Sequence, residues 1–300
     1  MLFGTRFVSQ KSMRTDYEVI FVDKTSKERT TTRIGAGFCK SVSFLNDKTI
    51  LLLLKKFDED QNPSSLILLS TNLGFDWYEL EKFPKAVEGL SFYSKSNGYV
   101  WSVSGLYFTK DAGESWVRIY SGPMNNIVDD GKAVISGKNN DFWIPFSRYG
   151  DYVELGYFKD NTLVQRLKLS PRITAIFEMA ISPDNSLFFL GQERNSSDIL
   201  VFQISTMQSV PKGIKRFTSN AKNQISPGFF GFVGSDLVLV ISHIAGITTE
   251  QEIFISKNEG KEWHKIKVAG LGAKHFIFQE NKEVWYQTSW GELYKTSLNY

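Results

Sequence analysis

The chain has little that would support metal or disulfide chemistry. Among its 300 residues there is one cysteine, Cys39, and there are three histidines, His243, His264 and His275. A single cysteine cannot form an intrachain disulfide, and the histidines do not have the spacing of a zinc site. Cys39 lies in an alternating run, which favours a small core residue over a nucleophile. We therefore expect no metal and no cofactor.

Long hydrophobic runs and an excess of one charge are also absent. The most apolar run, residues 50–54, has the length of a strand and not of a membrane span. Residues 1–16 lack the apolar stretch of a signal peptide, so the expected localisation is cytoplasmic, unless a leader has been removed. With 35 basic and 32 acidic residues the net charge is +3, which is too balanced for a dedicated nucleic-acid surface. We expect neither a nucleic-acid partner nor a membrane span.

What the chain does contain is one eight-residue pattern, Ser/Thr-x-Asp/Asn-x-Gly-x-x-Trp, in three copies. The third residue can accept hydrogen bonds from backbone N–H groups ahead of it, and the glycine supplies a positive φ. The tryptophan begins the next strand and packs a large ring against the turn. Two copies carry Asn instead of Asp, so we interpret the position as structural and not catalytic. The defining residues are Ser70, Asn72, Gly74 and Trp77, then Thr109, Asp111, Gly113 and Trp116, then Ser256, Asn258, Gly260 and Trp263.

These octads resemble the Asp-box, or BNR, repeat of β-propeller proteins, a class that includes sialidases, sortilin-type receptors and assembly factors of photosystem II. In that class the box lies on the turn between the third and fourth strands of a blade, away from the face that binds ligands. The resemblance implies a β-propeller. It implies much less about function, because one fold hosts many different sites.

Units of about forty residues recur along the chain, each reading as four short strands. We predict an all-β, single-domain, six-bladed propeller with four-stranded antiparallel blades, and seven blades as the alternative. The last unit lacks a fourth strand, so the N-terminal residues 1–34 are expected to close the ring, with segment 17–34 pairing with that blade. The expected blades are residues 38–80, 87–120, 132–169, 174–218, 225–268 and 274–300.

The enzymatic alternative is a sialidase-like glycoside hydrolase. That family holds a substrate carboxylate with three arginines, beside a Tyr–Glu nucleophile pair and an Asp acid/base. Thr32-Arg33-Ile34-Gly35 keeps only Arg-Ile of the motif that carries the first arginine, and Asp58 or Asp60 lies where the acid could sit. Residues 217–300 contain no arginine, so the later blades cannot supply the third member of the clamp.

The remaining candidate is a binding face. In a propeller, the loops between second and third strands share one face with the loops between blades. Aromatic side chains beside charges anchor many protein interfaces. We therefore expect a non-enzymatic protein-binding propeller, either a scaffold or assembly factor or an inhibitor such as a toxin-neutralising bacterial immunity protein. Carbohydrate binding is the less favoured alternative, and the partner stays unidentified. The candidate partner-binding residues are Asp58, Asp60, Tyr149, Tyr152, Arg194, Glu250 and Trp290.

Overall fold

The structure is a computed structural model of the chain, and it describes most of the residues. The described residues are 2–11, 14–22, 29–36, 38–46, 48–57, 63–72, 74–80, 87–102, 104–122, 135–136, 141–147, 153–204, 211–218, 224–245, 248–267, 273–278, 283–288 and 293–297.

Within these residues the secondary structure consists of 26 strands in seven antiparallel sheets, each a simple meander in chain order. Two sheets have three strands. They are β1 (Leu2–Lys11), β2 (Arg14–Val22) and β3 (Arg29–Ala36), and β24 (Ala273–Phe278), β25 (Glu283–Thr288) and β26 (Leu293–Ser297).

The other five sheets have four strands each. The first two are β4 (Phe38–Phe44), β5 (Ile50–Phe57), β6 (Pro63–Ser70) and β7 (Tyr78–Glu79), and β8 (Val87–Phe92), β9 (Gly98–Ser102), β10 (Gly105–Thr109) and β11 (Val117–Ser121). The third is β12 (Ile135–Ser136), β13 (Phe142–Ser147), β14 (Glu154–Lys159) and β15 (Thr162–Lys168). The last two are β16 (Ile173–Ile181), β17 (Leu187–Glu193), β18 (Ile199–Ile204) and β19 (Lys212–Phe217), and β20 (Gln224–Val233), β21 (Asp236–Ala245), β22 (Thr248–Ser256) and β23 (His264–Lys267).

Inner and outer strands differ in their hydrophobic pattern. The continuous leucine run of β5 is buried on both faces, with Leu51 and Leu53 in one core cluster and Leu52 and Leu54 in another. Such two-sided burial suits a strand with sheets or side chains packed on both sides. By contrast the fourth strand β15 alternates between exposed and partly buried residues, as an outer strand with one solvated face should.

The chain divides into two compact units. One unit is Met1–Val134 with Asn161–Leu163, and its core includes a cluster shared by the β4–β7 and β8–β11 sheets. The other unit is Ile135–Asp160 with Val164–Tyr300. Its core runs through clusters that join the β12–β15 sheet to the β16–β19 sheet and the latter to the β20–β23 sheet.

The prediction of six four-stranded blades is wrong, since the described residues form five four-stranded sheets. The pairing expected between segment 17–34 and the last blade does not occur among the described strand pairings. Residues 2–11 form a strand that the sequence pattern did not reveal, and this strand pairs with β2. Strand β2 is therefore paired on both edges, with Val19 opposite Thr5 of β1 and opposite Thr32 of β3.

Candidate functional site

Each of the three octads occupies the turn between the third and fourth strands of a four-stranded sheet. The turns join β6 to β7, β10 to β11 and β22 to β23. In every turn the hydroxyl of the first residue accepts a hydrogen bond from the glycine N–H, and the side-chain oxygen of the third residue accepts one from the N–H four residues on. The second kind of bond measures 2.9 Å from Asp76 to Asn72, 2.9 Å from Ser115 to Asp111 and 2.8 Å from Glu262 to Asn258.

The choice between Asn and Asp follows the residue four positions later. The Asn72 amide donates to the Asp76 carboxylate at 2.7 Å, and the Asn258 amide donates to Glu262 at 3.3 Å. Asp111, in contrast, accepts a hydrogen bond from the Ser115 hydroxyl. The hydrogen bonds from the Ser115 hydroxyl, the Thr109 hydroxyl and the Ser115 N–H lower the pKa of Asp111 from 3.8 to about 2. The side chains of the first and third octad residues are thus matched within each turn, as expected for structural corners.

Two of the octad glycines also pack against the preceding sheet. Gly113 has a φ of 93°, and a Cβ there would lie 3.1 Å from Leu80, which follows β7. Gly260 has a φ of 84°, and a Cβ there would lie 2.4 Å from Ile214 of β19. At both positions glycine is therefore required for two reasons, the left-handed backbone and the close approach of the neighbouring sheet.

The octad tryptophans, which were expected to pack a large ring against the turn, are only partly buried. Trp77 and Trp263 donate their ring N–H to the glycine carbonyl of their own turn, at 3.0 and 2.8 Å. Trp263 also meets the edge of Phe217, with ring centroids 5.9 Å apart. Trp77 packs beside buried side chains of its own sheet, whereas Trp116 and Trp263 pack in clusters shared with the preceding sheet.

Two of the predicted partner-binding residues lie in the described part of the chain, and both are exposed. Arg194 follows β17, in the loop between the second and third strands of its sheet, and Glu250 lies in β22, just after the corresponding loop of the next sheet. Asp58, Asp60, Tyr149, Tyr152 and Trp290 lie outside the described residues.

A groove of about 510 Å³ lies beside Arg194, at the end of the β16–β19 sheet where its second strand passes to its third. The backbone N–H of Arg194 donates to the Arg172 carbonyl at 2.6 Å, which joins this loop to the segment preceding β16. The floor of the groove is apolar and the rim is charged. Its lining comprises Ser170, Arg172, Ile173, Glu193, Leu200, Phe202, Pro211, Gly213, Ile214, Lys215 and Arg216.

The charges of the groove are unequally matched. Arg216 donates hydrogen bonds to Asp198 at 2.9 Å and to Glu193 at 2.8 Å. Both bonds raise the pKa of Arg216 above its ordinary value, and the bond to Asp198 contributes most. The Arg172 side chain is exposed and makes no hydrogen bond or ion pair with the described residues. Lys215 is also exposed, but its ammonium lies 5.8 Å from the centre of the Phe217 ring, which packs with Val201 on the opposite face of the sheet from Leu200 and Phe202. The groove therefore offers positive charge beside an apolar floor.

Sequence reasoning missed Arg172, Lys215 and Arg216. Strand pairing brings the groove together, since Arg216 lies opposite Leu200, and Gly213 opposite Phe202. A weak signal was present in Lys212–Phe217, where three basic residues occur in a six-residue strand. Basic residues are also common on outer strands, where they prevent pairing with the edge of another sheet. The pattern by itself therefore did not indicate a site.

A second charged cluster lies on β21, β22 and β23. Glu252 is 3.0 Å from His243 and 3.0 Å from Lys265. Burial, the largest contribution, raises the pKa of Glu252, but the hydrogen bonds from Lys265 and His243 outweigh it and leave the pKa lowered. Glu250 lies opposite His243 in the strand register. The cluster is a local hydrogen-bonded network around Glu252, and partly exposed networks of this kind contribute modestly to stability.

Among the described residues, no group of three or more His, Cys, Asp or Glu side chains is arranged to hold a metal ion. In the same part of the chain there is no helix with the length and apolar character needed to span a membrane.

Neither a protein-family model nor a curated protein matches the sequence. Solved structures do match. The Swd1 β-propeller domain from Myceliophteria thermophila is 10% identical and aligns over 98% of this chain and 100% of that chain, with a TM-score of 0.62. A prolyl endopeptidase is 12% identical over 98% of this chain and 48% of that chain, with a TM-score of 0.61. A candidate 6-phosphogluconolactonase from Bacteroides fragilis is 9% identical over 98% and 94%, with a TM-score of 0.59.

At such low identity these similarities show the fold alone. The chain is an all-β propeller with four-stranded antiparallel blades, and the described residues form five such blades. The names of the matched proteins differ widely in kind, so the fold does not select a function.

Proposed function

We propose that this chain is a non-enzymatic propeller of the Asp-box class that binds another protein through the groove of the β16–β19 sheet. In this role it acts as a scaffold or assembly factor, or as an inhibitor such as a toxin-neutralising immunity protein. The observation that carries the proposal is Arg172, an exposed guanidinium without a described partner, at the rim of an apolar groove. A cytoplasmic location stays a prediction from the sequence.

The composition of the groove supports protein binding. Arginine is among the residues that most often contribute large shares of interface binding energy, above all beside well-packed apolar surface. Ile173, Leu200 and Phe202 supply that surface and are themselves held in the core. A rigid floor with an available cation limits the ordering cost of association.

The octad turns have a separate, structural role. They lie at the end of their sheets where the third strand passes to the fourth, whereas the groove lies at the end of its sheet where the second strand passes to the third. Their hydrogen bonds are made within each turn, and two of their glycines contact the preceding sheet. We therefore assign partner recognition to the groove and fold stability to the octads.

The test is a comparative capture from native lysate with three immobilised proteins: wild type, Arg172→Glu and Lys159→Glu. Lys159 is exposed at the far end of β14, at the third-to-fourth-strand turn of its sheet, and controls for a change of charge. The proposal predicts a protein retained by wild type and Lys159→Glu and lost by Arg172→Glu, with unchanged thermal stability of all three baits. Capture that is equal on all three baits would contradict the assignment of the groove.

A further inference from the structure

We infer that the groove of the β16–β19 sheet receives an acidic side chain of the partner together with an adjacent aromatic or aliphatic one. The inference rests on the proposed function, and it names the chemistry that the groove recognises.

The apolar half of the site is formed by three buried side chains of one core cluster, Ile173, Leu200 and Phe202. Gly213 of β19 lies above Phe202, and a Cβ at Gly213 would be 3.7 Å from the Phe202 ring. Because the glycine has no side chain, it leaves space over that ring. A volume of about 510 Å³ is within the range of sites that enclose an aromatic group with its neighbours.

The polar half of the site selects an anion. Arg172, Lys215 and Arg216 line the groove against one acid, Glu193. The Arg216 guanidinium is already held by Glu193 and Asp198, and the Lys215 ammonium lies near the Phe217 ring, so the positive charge available to a ligand comes from Arg172. A guanidinium binds a carboxylate through two parallel hydrogen bonds, which adds direction to the attraction.

A carboxylate fits this arrangement better than a phosphoryl group. A phosphoryl dianion is best held by a cluster of arginines, and at this groove only Arg172 is an arginine without an acidic partner among the described residues. A purely anionic ligand would also make no apolar contact with the floor, which is half of the site.

The experiment is a titration of the full chain, labelled at isoleucine methyl groups, with 3-phenylpropanoate as a minimal acid-plus-aromatic probe. The matched neutral probe is 3-phenylpropanamide, and inorganic phosphate is the third arm. Ile173 reports on the groove, and Ile173→Val assigns its signals. We expect the Ile173 methyl signals to shift with the carboxylate, at least fivefold weaker binding of the amide, and no saturable shift with phosphate.

Variants link the response to the cation. Arg172→Gln should weaken 3-phenylpropanoate binding at least fivefold, and Lys159→Gln should leave it unchanged. Equal binding of acid and amide would overturn the inference, as would stronger binding of phosphate or an undiminished response in Arg172→Gln.

The outcome also separates this inference from the proposed function. If the probe does not bind but a captured partner still depends on Arg172, the acidic-aromatic chemistry is wrong and protein recognition stands. If the probe binds as expected but no protein depends on Arg172, the groove chemistry stands and the proposed function fails.

Discussion

The side-chain amide of Asn72 donates a 2.7 Å hydrogen bond to the Asp76 carboxylate, within one turn of the first octad. The third octad repeats this pair as Asn258 and Glu262, and the second replaces it with Asp111 and Ser115. The third octad residue is thus Asn where the residue four positions later is an acid, and Asp where that residue carries a hydroxyl. The amide avoids placing two carboxylates side by side while it keeps the oxygen that accepts the backbone N–H.

Asn72→Asp should therefore destabilise the protein at neutral pH, although it restores the commoner acid of the box. It would remove the bond to Asp76 and place two carboxylates together, at a cost of roughly 1 kcal/mol. Asn72→Asp combined with Asp76→Ser should recover most of the loss, because it reproduces the pairing of the second octad. Chemical denaturation of the single and double variants measures both effects, and an absence of recovery in the double variant would refute the pairing rule.

Asp111 should make stability sensitive to acid. Its pKa is about 2 in the folded protein and 3.8 ordinarily, so its stabilising contribution is present above 3.8 and is lost as the pH falls from 3.8 towards 2. Asp111→Asn keeps the acceptor oxygen but does not titrate, so its unfolding free energy should fall less than that of wild type over this interval.

Urea denaturation of wild type and Asp111→Asn at several pH values across this interval measures the difference. A slope for Asp111→Asn equal to that of wild type would mean that the hydrogen bonds of the turn do not depend on the charge of Asp111.

Gly260→Ala should be much more destabilising than Gly213→Ala. At position 260 the left-handed φ alone should lower the stability of a variant with a side chain by about 1–2 kcal/mol. The new Cβ would also collide with Ile214. At Gly213 the Cβ would meet Phe202 at an ordinary 3.7 Å. Denaturation midpoints compare the two variants.

The background Ile214→Ala separates the two contributions at Gly260. In that background the cost of Gly260→Ala should fall to the backbone contribution. An unchanged cost would show that the contact between the octad and the preceding sheet does not restrict position 260.

Local chemistry made part of the fold predictable. The Asn or Asp, the glycine and the flanking strands of each octad act within eight residues, so the position of the turn could be inferred from spacing. The number of blades depends on pairings between distant segments, and residues 2–11 gave no clear strand signal. Without that strand, β2 was expected to be free to pair elsewhere, and the count was wrong.

The groove was less predictable than the turns for the same reason. Arg194 was expected at a binding surface because its loop joins a second strand to a third. Arg172 and Arg216 are 44 positions apart in the chain and are brought to one groove by the β16–β19 sheet. Their opposite roles, one available and one held by Glu193 and Asp198, depend on side-chain geometry that no sequence pattern encodes.

The most direct test of partner recognition starts from the protein that the wild-type chain captures. This protein is purified and titrated calorimetrically with wild type, Arg172→Glu and Lys159→Glu. We expect at least tenfold weaker binding for Arg172→Glu, about 1.4 kcal/mol or more, because the substitution repels an acidic ligand. Lys159→Glu should bind like wild type. Equal affinities for Arg172→Glu and wild type, with both proteins folded, would contradict recognition through this groove.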